Sequence, residues 1–201
     1  MSLRLVLASE SPRRADVLRQ LGLDPVIRPA RVDETYLTGE TPEAHVERLA
    51  REKAEAVART EPDALVVGGD TLVVDGARVL GKPGDEAGAA RMLISLAGRA
   101  HTVLSGLALA GAPGTGETLS TVTRTHVRFR AYGEDIARAY AATGEPLDKA
   151  GGYGIQGLGA ALVSGVEGDY YSVVGFPVSA FMELLERAGL RYEFGSLSAA
   201  G

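Results

Sequence analysis

Apolar residues in this chain recur at two different spacings, and the alternation between them predicts strands interleaved with helices. Leu3 to Ala8 reads as a first strand. It gives way to Ser9-Glu10-Ser11-Pro12-Arg13-Arg14, where Ser11 is a natural N-cap and Pro12 suits the first helical position. Val17, Leu18 and Leu21 supply that helix's stripe, and Gly22 ends it. Pro25 to Arg31 predicts a second strand or extended connection. A longer helix opens at Thr41-Pro42, with Val46, Leu49, Ala50 and Val57 on one face at three-, four- and seven-residue spacings. Leu65 to Val67 predicts a buried strand that Gly68-Gly69 brings to an end, leaving Asp70 at the strand terminus and a hairpin around Asp75-Gly76.

Further along, Val79 to Pro83 reads as a short strand and turn, and Asp85 caps a helix with Ala90, Leu93 and Leu96 inside. Val103 to Ala110 and Leu119 to Phe129 predict two long antiparallel strands joined by the Gly/Pro-rich stretch 111–116. In the second of them Thr123, Thr125, Val127 and Phe129 share one face. Arg124, His126 and Arg128 share the other, which is wet or ligand-facing. A helix from Glu134 to Ala142, the Gly-rich stretch 145–159 and a last helix through Phe181, Leu184, Leu185 and Ala188 complete the chain. Residues 195–201 are expected to fray.

Composition narrows the class. The 201 residues are 45% hydrophobic, enough for a substantial core. A net charge of −5 gives no overall basic footprint, which argues against nucleic acid as a partner. Cysteine is absent, so there is no thiolate nucleophile, disulfide or Cys-ligated zinc, in keeping with a reducing compartment. The N-terminal apolar run is too short for a signal peptide and no later run is long enough to span a bilayer; a cytoplasmic, non-membrane protein is expected.

Several polar residues sit where chemistry is plausible, each beside a plainer reading. Asp70 at a strand end can hold a metal or take a proton from water, or can make an Asx turn. Arg13 and Arg14, on the first turn of a helix after a strand, suit an anion; their alternative is solvated surface charge, which the helix dipole disfavours. Asp33-Glu34 can ligate a hard cation or be loop charge. Lys53 falls on the apolar face of its helix, so it needs a ligand phosphate, an internal carboxylate or a route to solvent. Lys82, in Gly81-Lys82-Pro83, reads as an exposed turn lysine. His101 and His126 have no partner at metal-ligand spacing and read as surface or hydrogen-bonded strand residues. The 145–159 stretch, with Asp148, Lys149, Tyr153 and Gln156 among its glycines, has the composition of a binding loop, the alternative being a flexible connector.

Taken together, Leu7 to Arg14, Asp33-Glu34-Thr35, Lys53, Gly69-Asp70-Thr71, Gly81-Lys82-Pro83, Glu145 to Gly151, Tyr153 to Gly157 and Val174-Gly175-Phe176-Pro177 resemble the Maf family of nucleoside triphosphate pyrophosphatases, in order from about residue 3 to about 190. The resemblance implies a single α/β domain over 1–194 in two lobes: a mixed sheet with flanking helices bent around a deep cleft, similar to the inosine triphosphate pyrophosphatases. It also implies water attack on the α-phosphorus with a divalent metal, usually Mg2+ and alternatively Mn2+. By position, Asp70 matches the general base, Glu34 and Asp70 the metal site, and Arg13, Arg14, Lys53 and Lys82 the phosphate-binding cations. Ser9, Asp148 and Lys149 fall in substrate-binding motifs. Arg13, Thr71 and Gln156 resemble the subgroup acting on dTTP and UTP. A homodimer is implied as well. Tyr171-Ser172 and Phe176 depart from the usual pattern, which touches pocket width and not the chemistry. The second function considered is a non-hydrolytic nucleotide-binding regulator of cell division, against which the intact Asp70, Glu34 and Lys53 weigh.

Overall fold

The computed structural model describes residues 3–111 and 116–200, so most of the connection predicted over 111–116 lies outside the described residues. Strands β1 (Arg4–Leu7), β2 (Val26–Ile27), β3 (Ala64–Asp75), β4 (Arg78–Leu80), β5 (Ala100–Ala110), β6 (Leu119–Phe129) and β7 (Val163–Glu167) form one sheet. Its order is β2-β1-β3-β5-β6-β7, with β4 on β3. β1 runs parallel to β2 and β3, whereas β4 is antiparallel to β3 and β7 to β6, which makes the sheet mixed. The helices are α1 (Pro12–Gln20), α2 (Pro42–Ala58), α3 (Glu86–Leu96), α4 (Glu134–Ala141), α5 (Tyr170–Val174) and α6 (Val178–Arg187). The expected class, a mixed sheet with helices about it, is the one observed.

The chain divides into two compact units: residues 1–70, 105–123 and 175–201 make the first, and residues 71–104 and 124–174 the second. In the first, Val6, Ala8, Ala50, Ala54, Val57, Ala64, Val66, Ala108 and Ala110 form one buried cluster between α2 and the strands. All nine are Ala or Val, and small side chains let a helix lie close on a sheet. Gly68 and Gly106 carry this to its limit. A Cβ on Gly68 would stand 2.2 Å from the Ala50 carbonyl oxygen, and one on Gly106 2.2 Å from that of Val46. Both glycines are therefore seats for the α2 backbone, and neither is a strand end.

This overturns one expectation. β3 does not stop at Gly68-Gly69 but continues to Asp75, so Asp70 lies inside a strand and makes no Asx turn. The missing side chains at 68 and 69 mimic a break in sequence; the first makes room for the helix packed across it, and the second lies against Arg14 and the Gly106 carbonyl. Three smaller differences follow similar lines. The second strand shrinks to Val26–Ile27. Ser11 occupies the N-cap of α1 without a side-chain cap bond, whereas Thr41 accepts from the Ala44 N–H and Asp85 from the Gly88 N–H as expected. Residues 197–199, expected to fray, form β9 (Leu197–Ala199) against β8 (Leu190–Tyr192).

The second unit is organised around aromatic contacts. His101 and Tyr153 both meet Phe129 edge-on, at 4.9 and 4.8 Å between ring centroids. His101 is buried, and its Nε2 shares a 2.8 Å hydrogen bond with the Tyr153 hydroxyl, while its Nδ1 has no partner among the described residues. The hydrogen-bonded reading of His101 holds and the surface one does not; His126 is exposed and bonded to Thr102. Burial pushes the His101 imidazole down to about 4, Asp75 being too weak an offset. The unfolded chain then binds a proton near its ordinary pKa of about 6.5 that the folded chain refuses. Stability should be insensitive to this group above pH 6.5 and fall by about 3 kcal/mol as pH drops from 6.5 to 4. Denaturant unfolding of His101→Asn across that window checks it: the slope with pH should flatten, and an unchanged slope would refute the assignment.

Candidate functional site

The first unit gathers six of the residues singled out in the sequence: Ser9, Arg13, Arg14, Glu34, Lys53 and Asp70. Gly68 and Asp70 share a face of β3, since side chains alternate, and α2 crosses that face at Ala50 and Ala54. Lys53, beside Ala54 on the helix, is consequently aimed at Asp70. Its Nζ donates to Asp70 Oδ1 at 2.8 Å and lies 2.7 Å from Glu34 Oε1. Of the three partners open to a lysine on an apolar face, the structure supplies internal carboxylates. Lys53 and Asp70 are 11% and 14% exposed in their side chains and Glu34 is 63% exposed, so the pair is sheltered while the third member can swing.

Beside this triad the β1–α1 corner holds a second cation. Arg14 Nη1 donates to Ser9 Oγ at 3.0 Å and Nε to the Gly175 carbonyl at 2.8 Å; the Ser11 N–H also donates to Ser9 Oγ, at 3.1 Å. Ser9 is buried, and its oxygen serves the corner by accepting from both Arg14 and the Ser11 N–H. Burial pulls the Arg14 guanidinium below its ordinary value; Asp70 raises it, Arg13 lowers it and Glu34 raises it. Arg14, Arg13, Asp70 and Glu34 thus feel one another's charge, and arginine remains protonated throughout.

Two hard-oxygen carboxylates converge on one ammonium here, and among the described residues no group of three or more potential ligands forms. Mg2+ is commonly held by one or two carboxylates, with phosphate oxygens and water completing the shell. Glu34 and Asp70 fit that donor set.

Thr71, Lys82, Asp148, Lys149 and Gln156 belong to the second unit. Thr71 is half-buried in β3, and Lys82, Asp148 and Gln156 are exposed. Lys149 Nζ lies 2.7 Å from Asp148 Oδ1 and donates to the Glu145 carbonyl at 2.6 Å. The Gly151 N–H donates to the Gly81 carbonyl at 3.1 Å, which ties the Lys82 turn to this segment.

One organiser escaped the sequence reading. The Glu145 carboxylate accepts from the Tyr140 hydroxyl at 2.8 Å, the Leu158 N–H at 2.9 Å and the Gly159 N–H at 3.2 Å. Burial alone would raise its pKa, but those three donors together hold it below the ordinary value. The stretch around Gln156 is therefore a closed loop around one carboxylate and not a flexible connector; a lone Glu followed by four glycines within a dozen residues was the available signal. Glu145→Ala should cost about 2 to 3 kcal/mol, because two peptide N–H groups lose a charged acceptor. Chemical denaturation checks this, and a loss under about 0.5 kcal/mol would show that water replaces the carboxylate.

A model described as Maf-like protein matches residues 4–188. The protein named dTTP/UTP pyrophosphatase from Moorella thermoacetica is 55% identical over 187 residues, covering 93% of this chain and 96% of that protein. Those bearing the same name from Anaeromyxobacter sp. strain Fw109-5 and Myxococcus xanthus are 51% and 53% identical, covering 94% and 92% of this chain and 91% and 93% of their own lengths. Among solved structures, the nucleoside-triphosphatase / dITP/XTP pyrophosphatase of Mycobacterium abscessus covers 63% of this chain and 73% of its own, at 19% identity and a TM-score of 0.38. By the extent of the family match and by relatives more than half identical along nearly their whole length, the chain belongs to the Maf family.

Proposed function

We propose that the protein hydrolyses dTTP and UTP to the monophosphate and pyrophosphate. One observation carries this reading: relatives 51 to 55% identical along more than nine-tenths of the chain bear the name dTTP/UTP pyrophosphatase. The charge arrangement of the first unit supports the chemistry. A water oxygen bonds to the α-phosphorus, the bond from that phosphorus to the bridging oxygen breaks, and pyrophosphate leaves. Asp70 accepts the water's proton. Lys53, Arg13, Arg14 and Lys82 neutralise phosphate charge, and preorganised cations are worth most where water is scarce. The Lys53 ammonium pairs with Asp70 and Glu34 until a phosphate competes for it. Glu34 and Asp70 would hold a divalent cation, Mg2+ in the first place and Mn2+ in the second, whose contribution is further neutralisation of phosphate charge. Ser9 orients Arg14. In the second unit Gln156 offers an amide to the pyrimidine edge, with Thr71, Asp148 and Lys149 as further substrate contacts.

The test is product analysis. Purified protein with Mg2+ and each triphosphate should release monophosphate and pyrophosphate from dTTP and UTP faster than from other nucleotides. Diphosphate with inorganic phosphate would overturn the cleavage site. Chelation with EDTA should reduce turnover to background and added Mg2+ restore it; full turnover after chelation would remove the metal from the proposal. We also propose a cytoplasmic homodimer, on the family resemblance and on where nucleotide pools lie, and sedimentation should give about twice the 20.9 kDa chain mass. Among the described residues no helix is long and apolar enough to cross a membrane. The names of the relatives above do not favour the non-hydrolytic regulator.

A further inference from the structure

Glu34 stands in a stretch without regular structure and is largely exposed, so its ion pair with Lys53 is too weak to place it. The residues that follow it are held from α2. Five residues before Lys53 on α2, Arg48 reaches back over it: Nε and Nη2 take the two oxygens of Glu40 at 2.6 and 2.9 Å, and Nη2 also donates to the Thr35 carbonyl at 3.0 Å. Nη1 leans on Glu52 at 3.2 Å. Glu40 in turn accepts from the Leu37 N–H at 3.1 Å and meets His45 Nδ1 at 2.8 Å, and the His45 ring stacks on Tyr36 at 3.7 Å between centroids and 5° between planes. Residues 35, 36 and 37 are therefore held one after another, by a carbonyl, a ring and an N–H, and these three holds lead to Arg48 or its partner Glu40, beside the local bond from the Thr35 N–H to Asp33 Oδ1 at 2.9 Å.

We infer that Arg48 is a positioning residue: by clamping Glu40 and the Thr35 carbonyl it presents Glu34 to Lys53 and Asp70. The inference rests on the role proposed above for Glu34. Arg48 touches none of the three itself. The fork geometry matters, since a lysine offers a point charge and cannot span both oxygens of Glu40 and a carbonyl together. The guanidinium also holds Glu40 well below the usual carboxylate range, so the clamp persists into acid.

Arg48→Met should lower kcat/KM for dTTP by about 10 to 100-fold, the usual effect of losing a group that orients a ligand from behind, with Arg48→Lys in between. A structural weakening could do the same, so two further readouts are needed. Amide exchange at Leu37, whose N–H donates to Glu40, should accelerate in Arg48→Met. The double variant with Glu34→Gln should be within about twofold of Glu34→Gln alone, because a residue acting only through Glu34 has nothing left to position. Losses that multiply, a Glu34→Gln variant as active as wild type, or exchange unchanged at Leu37 would each overturn the inference. A wild-type chain that hydrolyses neither dTTP nor UTP is a separate failure, of the proposed function, and the exchange measurement still judges the clamp in that case.

Discussion

Asp70→Asn is expected to reduce kcat by about a thousandfold while KM for dTTP stays within about threefold, since a general base contributes roughly 10² to 10⁴ in rate. The substitution is close to isosteric, and the amide oxygen still accepts from Lys53, which keeps Glu34 as its second partner. Folding should therefore survive, and a thermal midpoint within a few degrees of wild type is the control. The lost group is the one that takes the proton from water, so the deficit belongs to the chemical step and not to nucleotide capture. Asp70 is also a proposed metal donor, and the two roles separate under titration. If excess Mg2+ restores most of the rate, the carboxylate acts as a ligand only. If kcat remains within tenfold of wild type at every Mg2+ concentration, it does neither job.

The same site shows what a sequence can and cannot carry. α2 was readable because its cause is local: the apolar positions Val46, Leu49, Ala50 and Val57 fix a face, Thr41 fixes a start, and Lys53 falls on that face by counting alone. That a buried-side ammonium requires an anion also follows from elementary electrostatics. Which anion does not, because Asp70 is brought to Lys53 by the crossing of α2 over β3. That crossing is written at Gly68 and Gly106, whose reason for being glycine lies in a helix backbone far away in sequence. Read locally, Gly68-Gly69 looks like punctuation, and so the strand was expected to stop short of Asp70. Glu34 looked like loop charge for a related reason. Nothing near it in sequence reveals that Arg48, half-buried on α2, ties down the next three residues with Glu40. Ser9 and Glu145 share a signature that only coordinates expose: each uses side-chain oxygens to gather several donors. His101 was within reach, since it alternates with Val103 and Ser105 on the buried face of β5.

Lys53→Met should be the more damaging replacement for stability, and costly in rate as well. Methionine fills most of the lysine stem's volume, so packing against the Ala-rich cluster is kept and the change is chiefly electrostatic. Asp70 is then a sheltered carboxylate without its ammonium, and removing one member of a sheltered pair costs more than the pair is worth. A loss of about 1 to 3 kcal/mol is expected, below the fully buried limit because Glu34 can turn to solvent. The rate should fall by about 10² to 10³, as removal of a preorganised charge donor does. The decisive measurement is a cycle with Asp70→Asn. The carboxylate left behind, and not a hole, is the source of the instability, so the Lys53→Met/Asp70→Asn double variant should resist denaturant better than Lys53→Met alone. Stability losses that simply add would mean that the ammonium and the carboxylate do not depend on each other. The short contact between α2 and β3 would then be incidental to the site, and a cation poised to exchange its carboxylates for a phosphate would have to be sought elsewhere.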